Sequence, residues 1–386
     1  MMKKIKLLFI INQFFKGGAE IALLNLLYAL NPEEYDIDLL VFDQIDMPEA
    51  ITLFGDLPSW IHTINIAYGE GWAAYVKKAW FHIYRRLTHR QLFRRKAISY
   101  LKGRKYDVTF SFGEWFSSRL AAEYVQAKRK YVWIHADIDK ADFLHSDILR
   151  YQQYFDRFIF ASIPSMQSAE RRYPVLCGRG MVIHNLVDEK RIRRLSEEAL
   201  PEWFPTDGLP ILLTVANIRS EKNHLRQVRI MENLFQKGKR FYWINVGALV
   251  DRGLSTRIRS VVHRAGLDEY FLLPGAVENP YVLMKHANAV CVLSDHESWS
   301  MVITEAKVLG VPVIATHTSG ALEQIEDDRT GILCSFDEEN IAETIFTFLS
   351  HPEIGERIRA MLQGFSLNKG SLQQLESLMK QDGISI

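Results

Sequence analysis

Two carboxylates, Glu297 and Glu305, stand eight residues apart in the run Ser294-Asp295-His296-Glu297-Ser298-Trp299-Ser300-Met301-Val302-Ile303-Thr304-Glu305-Ala306. The apolar run Ala289–Leu293 precedes them. This order predicts a strand, a turn carrying Glu297, and a helix that begins near Ser298 or Ser300 and holds Glu305. The spacing alone carries little, since a chain of this size yields about one such pair by chance. Its meaning comes from its place at the carboxyl end of a strand, where open α/β sheets bind ligands.

Three further clusters share that kind of place. Arg219 and Lys222, in Asn217-Ile218-Arg219-Ser220-Glu221-Lys222-Asn223-His224, follow the apolar run Ile211–Ala216. A guanidinium beside an ammonium at a strand-to-helix junction suits a diphosphate, although a solvated charged loop has the same spelling. Gly17 and Gly18 follow the first apolar run and precede a helix-like stretch. Paired glycines there allow close backbone approach to an anion at a helix N-terminus, or simply a tight turn. They do not spell the Gly-x-Gly-x-x-Gly dinucleotide fingerprint. His135 ends the run Tyr131–His135, where an imidazole serves either a substrate hydroxyl or ordinary structure. No His, Cys and carboxylate set has a convincing metal-ligand spacing, so no metal is expected.

The elements that must position these residues are legible as alternation. Seven short apolar runs in the first half and five in the second are separated by helix-length stretches. Runs apolar on both sides suit strands of parallel sheets covered on both faces. The predicted fold class is α/β, with two doubly wound domains facing a central cleft. The proline-rich Leu200–Pro210 reads as the break between them. The N-terminal domain is expected at 1–198, completed by a C-terminal helix in 366–386, and the C-terminal domain at 207–365. With 386 residues, 48% apolar composition and net charge +1, the chain is not a disordered, collagenous or disulfide-scaffold protein. The near-neutral charge argues against a dedicated nucleic-acid binder. Three scattered cysteines suggest a reducing compartment and buried thiols. No apolar run reaches the ~20 residues of a membrane helix, and a soluble, intracellular protein is expected.

In this order and at these places, the pieces resemble the family 4 retaining glycosyltransferases of the GT-B fold. The resemblance spans about residues 5 to 365 and is densest from Ala289 to Leu333, through Glu297, Glu305-Ala306, Gly310-Val311-Pro312, Ser319-Gly320-Ala321, Glu323 and Thr330-Gly331. Gly275-Ala276-Val277-Glu278-Asn279-Pro280-Tyr281 and Asn185-Leu186-Val187-Asp188 are similar to two further segments of that family. The resemblance implies sugar transfer from a nucleotide-sugar donor, UDP-sugar first and GDP- or ADP-sugar next, with retained anomeric configuration and without a metal. It implies Arg219 and Lys222 on the donor diphosphate, Glu305 on the ribose hydroxyls and Glu297 beside the transferred sugar. It further implies backbone N–H groups of Ser300, Met301 and Val302 on phosphate, Gly17 and Gly18 near the donor or acceptor, and His135 near the reacting centre. Where the family usually has Gly-x-Gly after the first Glu, this chain has Ser298-Trp299-Ser300. The departure implies looser backbone contact with phosphate, or hydroxyls in place of amides. A nucleotide-sugar epimerase or a catalytically silent sugar-nucleotide or membrane-binding subunit are the alternatives.

One stretch stands apart. From Gly71 to Tyr106 there are eleven Lys or Arg and no Asp or Glu, interleaved with Trp72, Tyr75, Trp80, Phe81 and Tyr84. Cations mixed with aromatics over 72–105 suit an anionic membrane surface, and equally a solvated helix pair with its rings packed inward. Membrane contact would agree with a lipid-linked acceptor at the cytoplasmic face, in polysaccharide or lipopolysaccharide synthesis.

Overall fold

A computed structural model describes residues 4–44, 52–67, 76, 94–112, 117–135, 138 and 149–380. The basic stretch proposed for membrane contact, 72–105, lies outside the described residues except for Val76 and 94–105. Among the described residues no helix is long and apolar enough to cross a membrane.

Strand β1, Ile5–Ile11, shows why these runs form parallel sheets. Leu7 and Phe9 face one apolar core while Leu8 and Ile10 face another, so both sides of the strand are out of water. Six more strands join it: β2 Tyr35–Gln44, β3 His62–Ala67, β4 Lys105–Phe112, β5 Gln126–Ile134, β6 Arg157–Phe160 and β7 Gly180–Val182. The sheet order is β3-β2-β1-β4-β5-β6-β7. Pairing is parallel, with Leu7 opposite Ile37 on one side and Val108 on the other.

The second sheet holds β8 Ile211–Val215, β9 Tyr242–Val246, β10 Phe271–Gly275, β11 Ala289–Val292, β12 Val313–Thr316 and β13 Ile332–Cys334. Its order is β10-β9-β8-β11-β12-β13, again parallel and again between two cores.

The chain divides into two compact units, Met1–Leu186 with Asn368–Ile386, and Val187–Leu367. The changeover thus falls after Leu186 rather than within 198–207. Helix Glu189–Leu195 and the residues after it are tied into the second unit: Asn279 Nδ2 donates to Leu195 O at 2.8 Å, and Lys285 pairs with Glu197 at 2.6 Å. The last described helix, Asn368–Lys380, seats Leu375, Leu378 and Met379 in the first unit's core, and its Lys380 pairs with Glu34 at 2.8 Å. Cys291 and Cys334 are buried as expected of inert thiols, whereas Cys177 is exposed.

Candidate active site

Chain order in the second sheet reverses between β8 and β11, which lie side by side. That is the topological switch point, where the loops beyond two adjacent strands splay apart and leave room for a ligand. The candidate donor residues leave the sheet there.

The two loops are stitched to one another. Asp295 N donates to Glu221 O at 2.9 Å, and Asn223 Nδ2 donates to Leu293 O at 3.4 Å. Asn223 adopts φ 56°, a left-handed conformation that asparagine tolerates, and so turns the chain into helix His224–Gln236. Between the loops Lys222 Nζ donates to Glu297 Oε1, which also accepts from Ser294 Oγ at 3.0 Å. Both partners keep some access to solvent, 24% and 16% of their side chains. Arg219 does not join them: it is exposed, and among the described residues it makes no ion pair with either. The short helical turn Ser220–Lys222 lies between the two cations and directs Lys222 inward.

Helix α1, Met301–Val308, begins one residue after Ser300, which occupies the capping position with extended backbone but makes no side-chain cap bond. Its amide is also taken, donating to Gln324 Oε1 at 2.9 Å. Ser300 therefore differs from expectation as a phosphate ligand, leaving the first-turn N–H groups of Met301 and Val302, which have no intrahelical acceptor. The loop before α1 rests on helix α2, Ser319–Gln324. Gly320 N and Ser319 Oγ donate to Glu297 O at 2.8 and 3.0 Å. A Cβ on Gly320 would stand 2.8 Å from the Ser298 carbonyl, so only glycine permits this approach. The Ser298-Trp299-Ser300 segment is therefore pinned against α2 at both of its ends.

Glu305 lies on the buried side of α1, 5% exposed. Tyr281 donates to its Oε1 at 3.1 Å, and burial raises its carboxyl to about 7 despite that bond and the Arg191 charge. Such a group is half protonated near neutrality and presents its remaining oxygen as donor or acceptor.

In the first unit, Gly17 caps helix Gly18–Ala29, and a Cβ at Gly18 would meet nothing within 4 Å. Open space thus adjoins the start of that helix. His135 follows β5, its ring 4.7 Å from that of Phe112 and stacked on Trp133 at 6.1 Å. Burial lowers its pKa to about 3, so the imidazole is neutral at physiological pH. Among the described residues no group of His, Cys, Asp or Glu is arranged to hold a metal. Sequence reasoning assigned no role to Ser294, Tyr281, Ser319 or Gln324. Ser319 and Tyr281 fall in quoted motifs, but Gln324 bonds to backbone 24 residues away and leaves no signal in the sequence.

Part of the chain matches a known family, and its fold matches solved structures. The family model for glycosyl transferases group 1 matches residues 196–361. Over 183 residues the chain is 26% identical to N-acetyl-alpha-D-glucosaminyl L-malate synthase of Bacillus anthracis, covering 46% of this chain and 47% of that one. It is 28% identical over 162 residues to N-acetylgalactosamine-N,N'-diacetylbacillosaminyl-diphospho-undecaprenol 4-alpha-N-acetylgalactosaminyltransferase of Campylobacter jejuni, 41% of each. The chain thus spans about half the length of the curated relatives it matches. Among solved structures, Anabaena HepE in complex with UDP-glucose superposes with TM-score 0.73 at 15% identity, over 97% of this chain and 98% of that one. Sucrose-phosphate synthase of Thermosynechococcus elongatus does so at 0.72 and 19%, over 98% and 99%. The chain has the GT-B fold, and residues 196–361 of its second unit match the glycosyl transferases of group 1.

Proposed function

We propose that the protein is a retaining glycosyltransferase that moves a sugar from a nucleotide-sugar donor, UDP-sugar in the first instance, to a saccharide or lipid-linked acceptor. The observation that carries this reading is the Lys222–Glu297 pair beside the N-terminus of α1, at the switch point of a group 1 domain. HepE, bound to UDP-glucose in its own structure, supports the choice of UDP.

The residues divide the work as follows. Lys222 exchanges Glu297 for the donor diphosphate, joined by the Met301 and Val302 N–H groups at the positive end of α1. Arg219, exposed at the loop tip, screens the same charge from further out. Glu305 accepts from a ribose hydroxyl. The C1–O bond to phosphate breaks with its electron pair going to the phosphate oxygen. The acceptor hydroxyl attacks C1 from the same face and passes its proton to that departing phosphate. Glu297, released from Lys222, stabilises the cationic sugar through its hydroxyls. Lys222 and the helix N–H groups neutralise the leaving group without a resident metal. Neutral His135, with Gly17 and Gly18 in the first unit, serves the transferred sugar and acceptor. The basic stretch 72–105 holds the enzyme on an anionic membrane face near a lipid-linked acceptor.

The test is turnover of UDP-, GDP- and ADP-sugars with and without saccharide and lipid-linked acceptors, in EDTA, with product configuration read by proton NMR. Acceptor-dependent release of UDP and an α-linked product from an α-linked donor support the reading. Sugar-nucleotide conversion without acceptor would favour an epimerase, and a protein that binds no nucleotide would sink the proposal. Sedimentation with anionic vesicles, compared for wild type and a Lys77/Lys78/Arg85/Arg86 alanine variant, tests the membrane contact.

A further inference from the structure

The loop that carries Glu297 contains no glycine, yet it is fixed more tightly than its serines would require. The device is α2. At its start, Gly320 N and Ser319 Oγ bind Glu297 O. At its end, the Gln324 carboxamide pairs with the peptide of Ser300 in both directions: Oε1 accepts from Ser300 N at 2.9 Å, and Nε2 donates to Ser300 O at 2.8 Å. The second Nε2 proton goes to Thr304 Oγ1 at 2.9 Å. Because a backbone N–H only donates and a carbonyl only accepts, these contacts fix which end of the amide is which. Both amide protons and the carbonyl oxygen of the side chain are engaged, at 6% exposure. The Gln324 carbonyl is itself held by Lys307 Nζ, a buried ammonium stacked 4.5 Å over the Phe365 ring. Lys307 and Thr304 both belong to α1, so the two helices and the loop form one closed network.

We infer that Gln324 is a positioning residue for the reaction proposed above: by gripping both sides of the Ser300 peptide it sets where α1 begins and where Glu297 stands relative to its first-turn N–H groups. It touches neither the nucleotide nor the sugar. Three peptides separate its grip on Ser300 from the bond at Glu297 O, and both ends are held by one rigid six-residue helix. Shifts of about 1 Å between a charge-stabilising group and the reacting centre cost transfer rate far more than ground-state affinity. The inference rests on the glycosyltransferase reading for its kinetic part and on the geometry alone for its structural part.

The experiment compares wild type, Gln324→Met, which keeps the length without the hydrogen bonds, and Gln324→Glu, which can accept from Ser300 N but cannot donate to Ser300 O when ionised. Amide hydrogen exchange, UDP calorimetry and steady-state transfer are measured on each. The expected result is a tenfold or greater acceleration of exchange in residues 298–302 with β11 unchanged. UDP affinity stays within threefold, and kcat falls tenfold or more at nearly constant donor KM. Unchanged loop exchange in a folded Gln324→Met overturns the inference whatever the activity does, and so does unchanged kcat. Parallel loss of UDP affinity, kcat and thermal stability in both variants reduces Gln324 to a structural role and also overturns it. If wild type neither binds UDP nor transfers sugar, the proposed function fails first, and the exchange result still decides whether Gln324 fixes the loop.

Discussion

Lys222 and Glu297, 75 residues apart in sequence, share a hydrogen bond across the mouth of the switch point. Each is the other's counter-ion in the free protein, so a ligand diphosphate must take Lys222 away from Glu297. The exchange costs less than desolvating a lone ammonium, and it frees a carboxylate where a positively charged sugar would form.

Unequal effects of the two cations on nucleotide binding follow. Lys222→Ala should weaken UDP binding at least tenfold by calorimetry, whereas exposed Arg219→Ala should change it by less than about threefold. Equal losses would restore the two-cation diphosphate clamp suggested by the spacing.

Glu297→Gln separates binding from chemistry. It leaves Lys222 without its anionic partner, so UDP affinity should hold or rise while transfer falls at least a hundredfold. A variant that keeps near-normal kcat would remove Glu297 from the reaction.

Stability should respond to pH through Glu305. Its folded pKa, about 7, lies above the ordinary value of 4.5, so the native state holds this proton more tightly than the unfolded chain does. The group therefore favours folding below about pH 4.5, and that contribution drains away as pH rises to about 7. Between pH 4.5 and 8, urea melts should show wild type losing roughly 3 kcal/mol more stability, at most, than Glu305→Gln. Parallel curves would show that folding does not raise the Glu305 pKa.

His224 and His135 act with the opposite sign. Burial lowers them to about 4 and about 3, so their contribution is complete above pH 6.5 and is lost as pH falls toward those values. Among the described residues neither ring nitrogen of His224 has a hydrogen-bond partner. His224→Leu should accordingly raise stability by about 1 kcal/mol at neutral pH and by more at pH 5. A loss at both pH values would reveal a bridging group at that ring.

The division between what the sequence reveals and what it conceals follows the range of the forces involved. Twelve of the thirteen strands among the described residues are visible as apolar runs, because burial on both faces selects apolar residues along each strand. The exception is β13, Ile332–Cys334, a three-residue strand at the sheet edge. Strand ends mark Lys222 and the Glu297/Glu305 pair in the sequence, and the family resemblance is what attaches a role to each. That Arg219 stays exposed while Lys222 turns inward follows from the single helical turn Ser220–Lys222, which no periodicity records. Gln324 leaves no mark in the sequence for another reason: it acts through hydrogen bonds to Ser300 and Thr304, 24 and 20 residues away, partners chosen by tertiary packing. The domain limit was drawn at the prolines, but the contacts of Asn279 and Lys285 carry the helix Glu189–Leu195 into the second unit.

Helix Asn368–Lys380 also sets an order of events during synthesis. The second unit, Val187–Leu367, is continuous and can close its cores as soon as it has left the ribosome. The first unit is translated earlier but lacks Leu375, Leu378 and Met379 until the end. At about 5–20 residues per second, the apolar face that those side chains cover stays open for roughly 10–40 s while the second unit is made. The half of the protein that is born first is therefore finished last, and chaperone demand should track that uncovered face.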